Sequence, residues 1–510
     1  MLIVGGGPAG LCTSILLSRH GVHSLLVERH PTTSVHPRAR GIGARVMELF
    51  RAWGIEADVQ RLRIDMEPCY SWGRTLSSRM IRVPSRLMVD TSSCSPCQSC
   101  ACPQDRLEPL LLEVARSRGE ADLRFGHELV AIEEVEGWLV GIVRDRSSGT
   151  EVTVRCRYLV AADGADSWIR DRVGIETAGD AHLAPAVSIM FNADLERWAG
   201  SPPCAVYRLE ALEAATLFPY GDGRWILSLQ ADPAADYGTD RAARLLETVV
   251  GAGVPDLRIE GVTRWTMGAR SALTFRRGRV LLAGDAAHQL TPFGALGMNT
   301  AISDTENLAW KLAAVLSDAA DPALLETYDV ERRPVGEANV EQSLRNWRSG
   351  PGGGGPSPLR LEFGYGYDSA AVVPDGTTTE TETEEYVPSA RPGRMAPLLW
   401  LRRRGNRIPV GDLFGDGWTV IAGPEGGAWR SAAAAIAAES RLAITAHVVG
   451  AGEDLEAEDE TWLARYGLTR GGAVLVRPDG HIGYRSATSG AGVEDRLRHV
   501  LRLLLGPNAA

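Results

Sequence analysis

The sequence predicts an α/β chain with an α+β middle unit, and three observations carry that prediction. First, the apolar stub Met1-Leu2-Ile3-Val4 runs into Gly5, Gly7 and Gly10. This is a G-x-G-x-x-G spacing, in which the backbone turns tightly and approaches a pyrophosphate. Second, strand-like runs end at an acid three times: Ser24 to Val27 before Glu28, Tyr158 to Ala162 before Asp163-Gly164, and Arg279 to Ala283 before Gly284-Asp285. The carboxyl ends of strands are where α/β sheets bind ligands. Third, residues 176–270 contain alternating runs such as Ala205-Val206-Tyr207 and Trp225 to Leu229, the pattern of a sheet covering something. The reading is a Rossmann-like domain, a β-sheet domain inserted into it, and a third unit behind both.

The elements follow in chain order. Ala9 to His20 places Leu11, Ile15 and Leu16 at helical spacing and stops at Gly21, so a pyrophosphate would meet a helix N-terminus, where free N–H groups favour anions. Glu28 follows Gly10 by eighteen residues and suits the hydroxyls of an adenosine ribose. Ser167 to Val173 begins a helix carrying Arg170, which Asp163 could cap. Pro292 to Asn299 reads as a loop leading into a helix through Lys311. Residues 1–70, 95–175 and 270–345 then form one discontinuous domain, and 71–94 with 176–269 form the sheet domain. Residues 346–394 are a linker in which Pro351 to Pro356 and Thr377 to Glu385 are flexible connectors. The third unit, 395–510, has strands at Trp418 to Ala422 and Ala473 to Val476, the latter joined to His481-Ile482-Gly483-Tyr484 by the turn Arg477-Pro478-Asp479-Gly480.

Composition narrows the function. With 510 residues, about three domains are expected. The net charge of −10 argues against nucleic acid or an anionic membrane as partner, and no apolar run is long enough to span a bilayer. The N-terminus opens directly into a core strand, so no signal peptide is expected, and the strand is short enough to suggest residues lost before Met1. Lys311 is the only lysine, which leaves little scope for Schiff-base chemistry. Cys94, Cys97, Cys100 and Cys102 have a metal-loop look, but no histidine stands near and iron–sulfur spacing is not met, so no metal is expected. Cys12, Cys69, Cys156 and Cys204 read as small core residues of a reduced, cytoplasmic protein.

The three glycine-bearing segments, in this order, point to FAD. They resemble the class A FAD-dependent aromatic hydroxylases, the para-hydroxybenzoate hydroxylase fold, and within it the actinomycete enzymes that act on polyketides and related natural products. His36-Pro37-Arg38-Ala39-Arg40-Gly41-Ile42-Gly43 and Pro103-Gln104-Asp105-Arg106-Leu107 resemble two further markers of that group. The resemblance covers essentially the whole chain. It implies that Gly5, Gly7, Pro8, Ala9, Gly10, Glu28, Arg29, Arg38, Gln104, Asp163, Gly164 and Asp285 hold FAD. It also implies that the N–H groups of Gly297, Met298 and Asn299 face the flavin N1–C2=O edge, where negative charge collects on reduction. Asp163 and Gly164 are also implicated in nicotinamide binding, and His288 is expected to pack beneath the flavin rather than act as a base.

The implied reaction uses NADPH or NADH, bound transiently, to reduce the flavin. Oxygen then forms a C4a-hydroperoxide, whose distal oxygen is transferred to an electron-rich aromatic ring. No catalytic residue is certain. Pro292 and Phe293 are expected at the flavin edge, and Phe218, Tyr220, Trp225 and Phe293 are substrate candidates, with ordinary sheet core as the competing role of the aromatics. The tail resembles the thioredoxin-like domain of the same enzymes but holds no cysteine, which leaves a structural or homo-oligomer-forming role. Baeyer–Villiger or decarboxylative oxygenation and a purely structural FAD are the alternatives; the W-x-W-x-I-P motif and catalytic lysine of flavin halogenases are not apparent.

Overall fold

The computed structural model describes residues 1–36, 38–85, 89–350, 354–377, 383–459 and 461–507. Its organising layer is a six-stranded sheet in the order Arg276–Arg277, Val280–Leu282, Leu159–Ala161, Leu2–Val4, Ser24–Glu28, Ala121–Phe125. Every neighbouring pair is parallel except the first, an antiparallel pair at one edge. Leu2, Ile3, Leu26, Val27, Leu159, Val160, Leu281 and Leu282 are almost wholly buried, as expected of strands covered on both faces. Helices Pro8–Arg19, Gln104–Arg116 and Gly297–Leu316 belong to this core. A three-stranded antiparallel sheet, His127–Val135, Trp138–Asp145 and Glu151–Cys156, stands beside it.

The second large sheet has eight strands, in the order His288–Gln289, Arg258–Ala272, Thr177–Asn192, Arg224–Gln230, Ala215–Gly221, Cys204–Leu209, Glu67–Gly73, Ile81–Pro84. One face buries Val187, Ile189, Phe191, Leu217, Trp225 and Leu227 against helix Thr239–Val250. The early segment contributes two of these strands, Glu67–Gly73 and Ile81–Pro84. The expected boundary at residue 70 falls inside Glu67–Gly73.

Cys69 and Cys204 are not separate core residues. Strands Cys204–Leu209 and Glu67–Gly73 pair in parallel, which brings the two cysteines together at a Cα–Cα distance of 5.2 Å, and they form a disulfide. Their 135-residue separation along the chain hides the pairing from sequence. Cys94, Cys97, Cys100 and Cys102 are free and buried, and burial raises each thiol above its ordinary value. Among the described residues the three candidate metal ligands drawn together are Glu67, Cys69 and Cys204, two of which are spent on the disulfide. No helix among the described residues is long and apolar enough to cross a membrane.

The C-terminal unit has a four-stranded sheet in the order Ile444–Val448, Trp418–Ala422, Ala473–Val476, Ile482–Ser486, the first pair parallel and the others antiparallel. Helix Gly427–Glu439 packs on its first two strands, and helix Val493–Leu505 packs against that helix. The expected linker is largely ordered. Helix Glu326–Ser349 runs to its start, helix Pro358–Phe363 follows, and Phe363, Tyr367, Ala371 and Ala390 are buried. Residues 351–353 and 378–382 of the expected connectors lie outside the described residues.

The seam between this unit and the first domain is built from charge. Arg477 donates to both oxygens of Glu331 at 2.7 and 2.8 Å and to Asp479 at 2.5 Å. Lys311 donates to Glu331 at 2.7 Å and Asn307 at 2.8 Å, and Trp310 donates to Asp479 at 3.2 Å. All four charged side chains are at most 1 % exposed. Burial alone would raise Glu331, but Arg477 and Lys311 overcome it and hold the carboxyl far below its ordinary range. A cavity of about 80 Å³ lies at the same seam, lined by Arg45, Glu306, Trp310, Met395 and Phe414 among others.

Candidate active site

The site begins where strand Leu2–Val4 meets helix Pro8–Arg19. Gly5 has φ +112°, and a Cβ there would lie 2.1 Å from the Ala162 carbonyl oxygen; one on Gly10 would lie 1.9 Å from the Gly5 oxygen. Only glycine permits this closeness of turn, helix and neighbouring strand. Gly7 and Gly164 have nothing within 4 Å of the same point, so the backbone there faces open space. Gly7 caps the helix without a side chain and the first turn holds no acid, so the anion-favouring N-terminus is left available.

Acidic groups edge this groove. Glu28 accepts from Gly6 N–H at 2.6 Å and from His30 N–H at 2.8 Å, which holds its carboxylate beside the glycine turn. Asp163 accepts from Ser167 Oγ at 2.5 Å and Ile169 N–H at 3.2 Å, so its carboxylate supports the start of helix Trp168–Arg172, which Ser167 caps. Burial raises the Asp163 carboxyl, with those hydrogen bonds acting against it. Asp285 is itself exposed, and the protein packed around it raises its carboxyl, with His288 and Arg38 opposing.

Behind Asp285 the turn is held rigidly. Gly284 donates its N–H to Asp304 at 3.2 Å, His288 Nε2 lies 2.6 Å from the same carboxylate oxygen, and Arg332 Nε donates to the other at 2.9 Å. Asp304, His288 and Arg332 are essentially inaccessible, and against burial the neighbouring His288 and Arg332 hold Asp304 below its ordinary value. His288 is thus committed to packing and to Asp304.

The far wall is the segment before helix Gly297–Leu316. Gly294 has φ +110° and Ala295 φ +55°. Thr291 is tied to Ser343 by hydrogen bonds of 3.1 and 2.9 Å, and Asn346 donates to the Phe293 carbonyl at 3.3 Å. Asn299 accepts from Gly43 N–H at 2.9 Å and donates to Gly41 and Ala295 carbonyls, which zips the Gly41–Gly43 stretch to the helix start. Gly297 already belongs to the helix, so Gly297, Met298 and Asn299 supply its first turn. Pro292 is exposed and Phe293 half-buried. On the other flank Gln104 accepts from Ala39 N–H at 3.3 Å and donates to buried Glu108 at 2.6 Å, while Arg29 and Arg38 are exposed. Pro37 lies outside the described residues.

Residues 1–343 match the FAD binding domain family, and 389–508 match the aromatic-ring hydroxylase C-terminal family. The chain is 37 % identical to a putative polyketide hydroxylase of Streptomyces halstedii, over 99 % of this chain and 97 % of that one. It superimposes with a TM-score of 0.92 on the flavin-dependent monooxygenase PieE solved with FAD and substrate, at 31 % identity and 99 % coverage of both chains. A ternary complex of aklavinone-11 hydroxylase with FAD and aklavinone gives a TM-score of 0.90 at 33 % identity, covering 99 % and 98 %. The chain belongs to the FAD-dependent aromatic-ring hydroxylases.

As a hydroxylase of this family it is a flavin-dependent monooxygenase that uses FAD, a reduced nicotinamide and O2. The groove fits the cofactor: the cradle is closed to any Cβ at Gly5 and Gly10, open at Gly7 and Gly164, and edged by Glu28 and Asp285. The aromatic candidates divide. Phe218 and Tyr220 stack on the Arg40 guanidinium, 5.3 and 5.5 Å from their centroids, beside the Arg38–Gly43 stretch. Trp225 faces the other way: its indole donates to the Ala193 carbonyl at 3.2 Å and packs against Tyr207 in the core under helix Thr239–Val250. Its backbone partners explain why it takes the sheet-core role, since Phe218 pairs with Ile226, and Trp225, one residue before it, points to the opposite face. Arg40, Asp304 and Arg332 also bond within this arrangement and were not singled out from the sequence, although Arg40 stands in the His36 to Gly43 segment.

Proposed function

We propose that this hydroxylase adds one oxygen atom of O2 to an electron-rich ring of a flat phenolic polyketide-type or hydroxypyridine substrate, in the cytoplasm. The observation that carries the reading is the placement of Phe218 and Tyr220 against the Arg38–Gly43 stretch, which Asn299 joins to the start of helix Gly297–Leu316. The similarity to an enzyme solved with aklavinone supports the substrate class.

The chain's own residues have separable tasks in this reading. The Gly5–Gly10 turn takes the cofactor's pyrophosphate on backbone N–H groups, Glu28 takes the ribose hydroxyls, and Asp285 takes a ribityl hydroxyl. Gln104 holds the Ala39 backbone at the groove's edge, and Asp163 holds the loop carrying Gly164. The first-turn N–H groups of Gly297, Met298 and Asn299 offset negative charge at the flavin's pyrimidine edge. When bound, the flavin supplies the redox and oxygen-activating chemistry. Phe218, Tyr220 and Phe293 exclude water and orient the ring, which is where the protein's rate advantage arises.

Residues 1–70, 95–175 and 270–345 form the FAD-binding domain in this scheme, 71–94 and 176–269 the substrate sheet, and 395–510 a thioredoxin-like unit. The order and direction of the four C-terminal strands support that last assignment. With no cysteine beyond Cys204, its role is structural.

The test is anaerobic reduction of the FAD-loaded protein by NADPH or NADH, with and without phenolic polyketides, followed by oxygen-isotope labelling of the product. Ligand-accelerated bleaching and a hydroxyl labelled from O2 are expected; an ester oxygen would instead show a Baeyer–Villiger outcome. If neither nicotinamide bleached the flavin with any ligand, the hydroxylase turnover proposed here would be refuted.

A further inference from the structure

Arg332, fully buried, joins two walls of the cofactor groove from behind. Nε donates to Asp304 at 2.9 Å, and the other oxygen of that carboxylate holds Gly284 N–H and His288, so this arm fixes the Gly284–Asp285 turn. Nη2 donates to the Thr300 carbonyl at 3.3 Å, just beyond Gly297, Met298 and Asn299 at the start of helix Gly297–Leu316. Nη1 donates to the Tyr367 hydroxyl at 3.2 Å, and the Tyr365 ring centroid lies 5.4 Å from the cation. Burial raises the Tyr367 hydroxyl well above its ordinary value, with Arg332 opposing, so it meets the guanidinium as a neutral phenol. Asp304, Thr300 and Arg332 all lie within residues 1–343, whereas Tyr367 does not. Tyr367 is carried instead by the C-terminal hairpin. Its N–H donates to the Gly393 carbonyl at 2.9 Å, Gly393 N–H donates to Ile482 at 2.7 Å, and its ring stacks on His481 at 4.2 Å.

We infer that Tyr367 is a positioning residue of the flavin site: held by the C-terminal hairpin, it orients Arg332, and Arg332 keeps the Gly284–Asp285 turn and the first turn of helix Gly297–Leu316 in the relative placement that FAD needs. The inference rests on the flavin placement proposed above and deepens it by giving the C-terminal unit a share in the cofactor site. A guanidinium is a rigid planar fork, so releasing the arm at Tyr367 lets the arms at Asp304 and Thr300 swing together. Two consequences follow at the groove. The ribityl side loosens where Asp285 stands, which weakens FAD binding. The first-turn N–H groups lose their aim at the flavin's pyrimidine edge, and this disfavours the reduced flavin more than the oxidised one, because the negative charge they offset is present only on reduction.

The test compares two hydroxyls of one stretch. Tyr367→Phe removes the hydroxyl that meets Arg332 and keeps the ring on His481, whereas Ser369→Ala removes the hydroxyl that Ser369 donates to Glu331 at 2.6 Å. Both should lower the thermal stability of the FAD-loaded protein. Tyr367→Phe should also raise the FAD dissociation constant about fivefold to tenfold. At the dye-fixed potential where half of the wild-type flavin is reduced, it should cut the ratio of reduced to oxidised flavin about threefold. Ser369→Ala should leave both quantities at their wild-type values. Arg332→Lys, which keeps the charge but not the fork, should shift both further in the same direction; if it fails to fold, Tyr367→Phe alone decides. Either quantity at its wild-type value in Tyr367→Phe, or in a folded Arg332→Lys protein, overturns the inference and leaves Tyr367 as packing. Equal shifts in Ser369→Ala overturn it too, because any loosening of the seam would then reach the flavin without the Tyr367–Arg332 route. In each of these cases bleaching of the wild-type flavin by reduced nicotinamide would leave the hydroxylase reading standing.

Discussion

The groove around Gly5 to Gly10 and the seam around Arg477 are built on opposite plans. In the groove, glycines remove side chains, and the helix N-terminus and the backbone at Gly7 and Gly164 face open space. At the seam every charge has a partner inside the protein: Arg477 with Glu331 and Asp479, Lys311 with Glu331 and Asn307. A site that must take a ligand leaves donors unspent, whereas a permanent junction pairs its charges, because an unpaired buried charge is far costlier than an open N–H that water or cofactor can reach. Arg40 crosses the two plans, a cleft charge bonded to the Pro219 and Ala205 carbonyls.

The largest expected effect breaks the seam. Arg477→Met leaves Glu331 and Asp479 facing Lys311 alone and should cost about 3–5 kcal/mol in urea unfolding of the FAD-loaded protein. A loss below about 1 kcal/mol would mean that the buried charges there are solvated or rearranged on mutation. Next comes the groove. Gly5→Ala forces a Cβ to within 2.1 Å of the Ala162 oxygen at φ +112°. The backbone strain alone is of order 1–3 kcal/mol. Flavin content after gel filtration should fall sharply, while Gly7→Ala should leave unfolding unchanged and show, by its own flavin content, how closely the cofactor passes.

Asp304→Asn probes the point where the two plans meet, since it keeps an acceptor for Gly284 but removes the charge shared by His288 and Arg332. A loss of about 1.5–3 kcal/mol in stability, with a shifted flavin reduction potential, is expected. An unchanged potential would confine Asp304 to folding.

The smallest effect is a pH slope at Glu362, which accepts from Arg45 N–H at 3.2 Å at the start of helix Ala44–Ala52. Burial raises its carboxyl to about 7 from an ordinary 4.5, with those backbone N–H groups opposing. A carboxyl raised in the folded state favours folding while protonated, so this contribution is full below about 4.5, shrinks as pH rises, and is gone above about 7. Glu362→Gln should flatten the stability profile of the protein in that window, as thermal unfolding across pH would register; an unchanged slope would exclude Glu362 as its source.

Local features were legible in advance. Helix Pro8–Arg19, strand Ser24–Glu28, helix Trp168–Arg172 and the hairpin around Arg477 to Gly480 all follow from neighbouring residues, because strand and helix periods and turn chemistry act over a few positions. Facing was not legible. Phe218, Tyr220 and Trp225 sit on one strand pair, yet the register of Phe218 with Ile226 sends Trp225 to the core.

The sequence by itself determined the fold class, the glycine cradle and the acids that edge it, since each depends on spacings within about twenty residues of chain. Tertiary structure alone decided the Cys69–Cys204 disulfide, the Arg477–Glu331 lock, the ordered packing of the expected linker, and Arg40's reach to the sheet. These join residues 135, 146 and 165 positions apart in the three pairings. The physical reason is that a buried charge or thiol takes its partner from whatever the folded chain brings alongside, and no periodicity in the sequence encodes that encounter.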